Sequence, residues 1–352
     1  MALSSSSELA CELRNLALAL TIVLCAATVG LAEETVSSPN AWTELRAKIE
    51  EREKSVKSFE VRLEQRQLDT ERDPQASDKV GRWIVQMKGD QQIRVEEERE
   101  LLSVMDKRPY LSQTIHVTNV GVHKNFSPML GNLYPGGWIR KEDDTHFYNH
   151  AVLMPLAVGF RMLEWMAADC PELSSDQVSV RPGTLNGKAC VIASWTFQRK
   201  PGPVICTSGD CKPPSPSTYV REVYLDPTRE MVPLRVTATI DGSRIIGARH
   251  IQWDLQYSVD AVGFVLTGWK CVSTNAEGHI IKDRTAKVSL WKVNPNIDDS
   301  RFDIQFPVGA YIEDKVTGEN YILRENSQKR LVTAKDWSGA TYQDLLHTEA
   351  TQ

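Results

Sequence analysis

Apolar residues along this chain recur at two periods, and the changes between them mark the elements. Between 40 and 57 (NAWTELRAKIEEREKSVK), Trp42, Leu45 and Ile49 fall at helical spacing with charges between them, and Asn40 stands where it can cap. That spacing predicts one helix. From Ser58 the period drops to two. Phe59, Val61 and Leu63 alternate with Glu60, Arg62 and Glu64, the pattern of a half-buried strand. Trp83, Val85 and Met87 alternate in the same way, Lys88-Gly89-Asp90 supplies a turn, and Ile93 and Val95 carry the return strand, which predicts a hairpin. Residues 114–126 read as a second hairpin. Residues 127–142, rich in Gly, Pro and aromatics, read as a loop, and 151–169 as a single helix with Leu153, Leu156, Phe160, Leu163 and Met166 on a broad apolar face.

Beyond Pro171 the pattern is almost wholly that of strands: 178–182, 189–198, 219–225, 232–240, 244–257, 263–271, 284–293 and 300–305. Short strands at 311–312 and 321–323 follow, joined by Lys315-Val316-Thr317-Gly318, and 337–347 reads as a short amphipathic helix. There is no fixed-period repeat and no linker long enough to divide the chain. A helix, hairpins, a helix and then a long meander predict an α+β fold: a curved antiparallel sheet, an unclosed half-barrel, with helices covering its concave face. Such a layering leaves an elongated apolar space between sheet and helices, the kind of space that takes apolar ligands.

One segment falls outside this scheme. Leu16 to Ala32 (LALALTIVLCAATVGLA) is uncharged, follows Arg14 and ends in small residues before Glu33-Glu34, the layout of a secretory signal peptide with cleavage after Ala32. The competing reading is a retained membrane anchor. Removal of 1–32 predicts a periplasmic or secreted protein with a domain at 33–325 and a C-terminal extension at 326–352. Five cysteines then remain, and export favours disulfides. Cys206 and Cys211 bracket a tight Thr-Ser-Gly-Asp loop in a Pro/Gly/Ser stretch and are the expected local pair.

Composition adds exclusions. With 41 basic and 46 acidic residues in 352, the net charge is −5, and no basic stripe is present, which argues against nucleic acid as a partner. His146 and His150 stand at i, i+4 (DDTHFYNH) and would share a helix face as metal ligands do. Phe147, however, holds the place where a zincin has glutamate, and a polar helix start explains the same residues. No GxSxG, GxxxxGK[ST] or GxGxxG pattern occurs. No catalytic residue, cofactor or metal is assigned, and the expectation is a protein that is not an enzyme.

Three stretches carry a resemblance: VGRWIVQMKGDQQIRVEE near the start, REVYLDPTREMVPLRVTATIDGSR, and VNPNIDDSRFDIQFPVGAYIEDKVTGENYIL. Together they resemble the LolA-like group of bacterial envelope proteins, which includes periplasmic lipoprotein carriers and the lipid-sensing regulator RseB, and in particular its larger secreted relatives. The resemblance implies an unclosed barrel around an apolar cavity and non-covalent binding of a lipid or of lipoprotein acyl chains. Expected lining residues, each one face of a predicted strand, are Phe59, Val61, Leu63, Trp83, Val85, Met87, Leu234, Val236, Trp253, Leu255, Phe264 and Leu266. The alternative is an envelope sensor or interaction module that binds another protein, its interior filled by aromatic side chains.

Overall fold

A computed structural model describes residues 40–69, 79–89, 91–102, 108–130, 134–141, 153–199, 216–241, 249–260, 263–337 and 341–347. The first helix, α1 (Ala41–Ser55), buries Trp42, Leu45 and Ile49, the residues whose spacing predicts it. The strands that follow are β1 (Ser58–Asp69), β2 (Lys79–Lys88), β3 (Gln92–Leu102), β4 (Pro109–Asn119), β5 (Val122–Leu130) and β6 (Tyr134–Lys141). Helices α2 (Met154–Phe160) and α3 (Met162–Asp169) come next. They lead into β7 (Ser179–Leu185), β8 (Lys188–Arg199), β9 (Ser217–Asp226), β10 (Val232–Asp241), β11 (Arg249–Asp260), β12 (Gly263–Asn275) and β13 (Ile280–Val293). The chain ends with β14 (Tyr311–Asp314), β15 (Glu319–Leu323), β16 (Lys329–Leu331) and two short helices, α4 (Ala334–Trp337) and α5 (Tyr342–His347).

The described strands form one open sheet in the order β16-β15-β14-β6-β5-β4-β3-β2-β1-β13-β12-β11-β10-β9-β8-β7. Neighbours are antiparallel except β14, which runs parallel to β6. Strand β1 joins the two halves, pairing with β2 on one side and β13 on the other, so that Val61 faces both Val85 and Trp291. Because side chains alternate with period two, this register aligns the apolar rows of neighbouring strands on one face. Phe59, Val61 and Leu63 stand opposite Met87, Val85 and Trp83; across the sheet, Val236, Trp253 and Cys271 align, as do Leu255 and Trp269. Helices α1, α2 and α3 pack on this concave face, and sheet and helices share one core. Phe160 of α2 stacks on Trp291 with ring centroids 4.3 Å apart and meets Phe59 at 5.6 Å.

The unclosed antiparallel sheet with helices on its concave face is the architecture predicted from the sequence, and four local expectations are corrected. The single helix over 151–169 is two helices, broken at Arg161 (φ −139, ψ 49). A charged side chain in the middle of an apolar run has to find partners, and the break lets Arg161 Nη2 donate to the Val56 carbonyl at 2.9 Å. The stretch 127–142 is not a loop, since β5 continues to Leu130 and β6 occupies Tyr134–Lys141. Its glycines serve close approach: a Cβ on Gly137 would lie 2.1 Å from the Asn125 carbonyl oxygen of the neighbouring strand.

Residues 300–305 are not a ladder strand. A 3₁₀ turn at Asp299–Phe302 starts on the Asp298 side chain, and the segment crosses the outer face of the sheet. There Phe302 and Ile304 cover Val117, while Arg94 and Asn119 donate to the carbonyls of Arg301 and Phe302. Those side chains supply the hydrogen bonds a neighbouring strand would have made. The predicted helix at 337–347 is two helices. In each, the residue before the helix and one inside it form a reciprocal Thr/Asp cap (Thr333 with Asp336, Thr341 with Asp344), so each starts separately. Leu345 of α5 is buried against Tyr311 and Ile322, beside Tyr134.

Asn294 splices α1 to the end of β13. Its Oδ1 accepts from the backbone N–H of Lys57 (2.7 Å) and Ser58 (3.2 Å), and its Nδ2 donates to the Ser55 carbonyl (2.8 Å). Its backbone is left-handed, φ 51, a conformation Asn tolerates better than most residues. Asn294→Ala is expected to lower unfolding free energy by about 2–3 kcal/mol with an unchanged urea m-value, as read by chemical denaturation.

Candidate functional site

The concave face beneath α1–α3 is the candidate site. Ten of the twelve residues expected to line a cavity lie in its buried cluster: Phe59, Val61, Leu63, Trp83, Val85, Met87, Val236, Trp253, Leu255 and Leu266. Phe264 is half-buried near the end of its strand, with the Arg229 guanidinium 5.7 Å from its ring centroid. Leu234 is placed elsewhere. A β-bulge between Pro233 and Arg235 reverses the alternation, and Leu234 packs with Leu185, Cys190 and Ile192 in a separate cluster.

The helix layer is held to the sheet by polar contacts at its ends and by apolar packing between them. At one end, Arg52 Nη1 donates to the Met231 carbonyl at 2.6 Å, in a turn where Glu230 and Met231 are both left-handed. Glu53 Oε1 accepts from the Leu163 N–H at 3.1 Å in the first turn of α3. A carboxyl there suits the helix dipole, yet burial pushes the Glu53 carboxyl up to about 7, against the pull of that N–H and of Arg52. At the other end Arg221 of β9 clamps the last residue of α3, with Nε and Nη2 donating to the two Asp169 oxygens at 2.8 and 3.0 Å. This bidentate pair is buried and lies beside Trp165 and Tyr219.

Between these latches the interior is apolar but carries unanswered donors. The indole N–H groups of Trp83, Trp195, Trp253 and Trp291, and the hydroxyl of Tyr257, are buried with no hydrogen-bond partner among the described residues. Buried indoles and phenols normally find an acceptor. Burial raises the Tyr257 phenol well above its ordinary value, with the nearby charge of Arg52 acting the other way. Gly81 makes room for one of these rings, since a Cβ there would lie 2.1 Å from the Trp83 indole.

The latch residues were not legible as site residues. Arg161, the one basic residue inside the apolar run 153–168, is a signal that could have been read. The Asp169–Arg221 pair, 52 residues apart, leaves no trace in local pattern. Cys206, Cys211, His146 and His150 lie outside the described residues, as does the segment 1–32. Cys271 is buried and its thiol is pushed up to about 12 by burial, an inert environment. Among the described residues no group of three or more His, Cys, Asp or Glu could hold a metal ion, and no helix is long and apolar enough to cross a membrane.

A second concavity lies on the outer face, a groove of about 530 Å³ across β1–β5. Ile84, Ile115 and Pro128 contribute its apolar surface, and Arg62, Arg82, Glu96 and Glu98 its charges. Ile115 also packs against the cluster formed by Phe302 and Ile304, so the groove continues the apolar row that the crossing segment already covers.

No family model matches the sequence, and no curated protein does. Among solved structures, the chain is similar to a domain from Vibrio parahaemolyticus described as of the outer membrane lipoprotein-sorting type (10% identity, 76% of this chain and 97% of that one, TM-score 0.42). It is similar to a DUF1329 family protein from Desulfovibrio piger (8% identity, 76% and 98%, TM-score 0.43). A LolA superfamily protein from Nitrosomonas europaea also matches (9% identity, 74% and 97%, TM-score 0.39). These structures are described as of the lipoprotein-sorting, DUF1329 and LolA superfamily types.

Glu53 makes stability depend on pH. Its folded-state value of about 7 lies above the ordinary 4.5, so the folded protein holds a proton that the unfolded chain releases between those values. Stability therefore falls as pH rises through this window, by about 3 kcal/mol. Glu53→Gln keeps an acceptor for the Leu163 N–H without the charge. Urea titrations at pH 5 and pH 8 are expected to show a small difference between variant and wild type at pH 5 and a more stable variant at pH 8.

Proposed function

We propose that this protein binds an apolar or acylated ligand, a lipid or the acyl chains of a lipoprotein, non-covalently between the concave face of the sheet and helices α1–α3. The observation that carries the reading is the continuous apolar interior in which four indoles and a phenol lack an acceptor. An acyl chain supplies what that interior favours on both counts. Each methylene leaving water contributes about 0.8 kcal/mol, and ester or amide carbonyls along the ligand offer acceptors to the orphaned N–H and O–H groups. The distribution of contacts in the helix layer suits entry. Its polar latches stand at the ends of α3, while α2, all seven of whose residues are buried, touches the sheet through apolar side chains that a ligand's own carbons can replace. Phe59, Val61, Leu63, Trp83, Val85, Met87, Val236, Trp253, Leu255 and Leu266 are the proposed lining. The role is binding and not catalysis, and the proposed setting is the cell envelope, reached by export with cleavage near Ala32. The lipoprotein-sorting description of the Vibrio structure names the same class of ligand.

A second reading, an envelope interaction module with a filled core, is favoured by the outer groove. The chain's own segment 297–306 crosses the same face, with Phe302 and Ile304 inward and Arg301 on Glu96, a pattern of anchors that a peptide from a partner could repeat.

Native mass spectrometry of the full chain purified from its own membranes tests the first reading. The expected result is a bound acyl species released only on unfolding, together with uptake of a fluorescent fatty acid that shifts intrinsic tryptophan emission. A bare mass with no uptake would overturn it. A photoreactive residue at position 84 tests the second, with a discrete adduct to one envelope protein expected, and lost on competition by that partner's peptide.

A further inference from the structure

Two of the unanswered donors belong together. Arg52, on the last turn of α1, directs Nη1 to the Met231 carbonyl, but its Nη2 is buried without a hydrogen bond among the described residues. The nearest carboxylate oxygen, Glu53 Oε1, is 3.9 Å away and already accepts the Leu163 N–H. Tyr257, from β11, reaches the same region, and its hydroxyl is buried and equally unanswered. It lies within electrostatic reach of Arg52, whose charge acts on the phenol. The roof over the phenol is Gly159 of α2, where even an added Cβ would sit 3.5 Å from the hydroxyl; Leu266 supplies a neighbouring wall.

We infer that Arg52 Nη2 and the Tyr257 hydroxyl form an anchoring site for the carboxylate head group of a single-chain amphiphile whose tail lies in the apolar interior. The inference rests on the acyl-ligand reading and adds to it the chemistry of the head. Two donors, one carried by a cation, match the two oxygens of a carboxylate. A monoanion neutralises a single buried guanidinium, and charges that leave water are stable only when paired. A phosphate dianion would bring a second charge into a site whose other neighbouring ionisable groups, Glu53 and Glu230, are acidic. Burial works against the charge on Arg52 and against ionisation of Tyr257. Tyr257 therefore stays a donor, and a bound carboxylate would restore what Arg52 lacks.

The test uses the full chain and three probes sharing one labelled C16 tail: the free acid, its methyl ester and the corresponding alkyl phosphate. Wild-type protein is expected to bind the acid about tenfold or more tighter than the ester. Tyr257→Phe is expected to cut that ratio several-fold, and Arg52→Gln to bring it close to one. Tyr257→Phe deletes only a hydroxyl that has no partner, so its thermal midpoint is expected to match or exceed that of wild type, which separates a lost anchor from a lost fold. Equal binding of acid and ester in wild type would overturn the carboxylate site while leaving the acyl-ligand reading standing. Tighter binding of the phosphate would overturn the choice of head group. Failure of all three probes to bind would remove the acyl-ligand reading and this inference with it.

Discussion

The pairing of β1 with β13 is the contact on which the rest of the molecule depends. It brings residue 59 opposite residue 293, more than two hundred positions away in sequence, and makes one sheet of the hairpin systems before and after the helices. Without it, the rows of β2–β6 and of β7–β12 would each present an apolar face too narrow for the helices to cover. With it, Val61, Val85 and Trp291 stand side by side, and Phe160 of α2 finds both Phe59 and Trp291 beneath it. Asn294, at the exit of β13, secures this seam with bonds to the end of α1 and the start of β1.

The two faces of the sheet solve their burial problems differently. On the concave side, a layer of short helices supplies apolar area, and polar atoms are placed at its ends: Glu53 and Arg161 at one, Asp169 at the other. On the outer side, a single non-strand segment does the covering. It is held by ion pairs at its margins, Lys88 with Asp299 and Arg301 with Glu96, while Phe302 is buried beneath it. That segment leads directly into β14, which adds to the free edge of β6 in parallel, so that covering the outer face and extending the sheet are one continuous act of the chain. An edge occupied in this way is also one less template for unwanted strand pairing.

Charge placement inside the concave layer departs from simple apolar packing. A structure selected only for packing would fill this space with aliphatic residues. Here Arg52 and Glu53 of α1 and Tyr257 of β11 carry ionisable groups into the layer, and burial shifts each of them. Four tryptophans along the sheet leave their indole N–H groups without acceptors. On the proposed reading, this apolar and donor-rich interior would be matched by an amphiphile, which brings both carbon and acceptor atoms.

Period and turn chemistry in the sequence by themselves determined the elements of β1–β3, α1 and β7–β15, because period-two and helical patterns are local. They also determined which face of Phe59-Val61-Leu63 and Trp83-Val85-Met87 is buried, since alternation leaves no other choice. Only the tertiary structure decided where that alternation is broken, as at the bulge that turns Leu234 away, because a bulge is set by the neighbouring strand. The same holds for β5 and β6, where Gly136 and Gly137 look like loop residues until two strands close on them. The clamp between Asp169 and Arg221 and the bond from Arg52 to the Met231 carbonyl are products of the fold alone. Their partners come from distant elements, and nothing in local spacing reports which charges a sheet of this width will bring together.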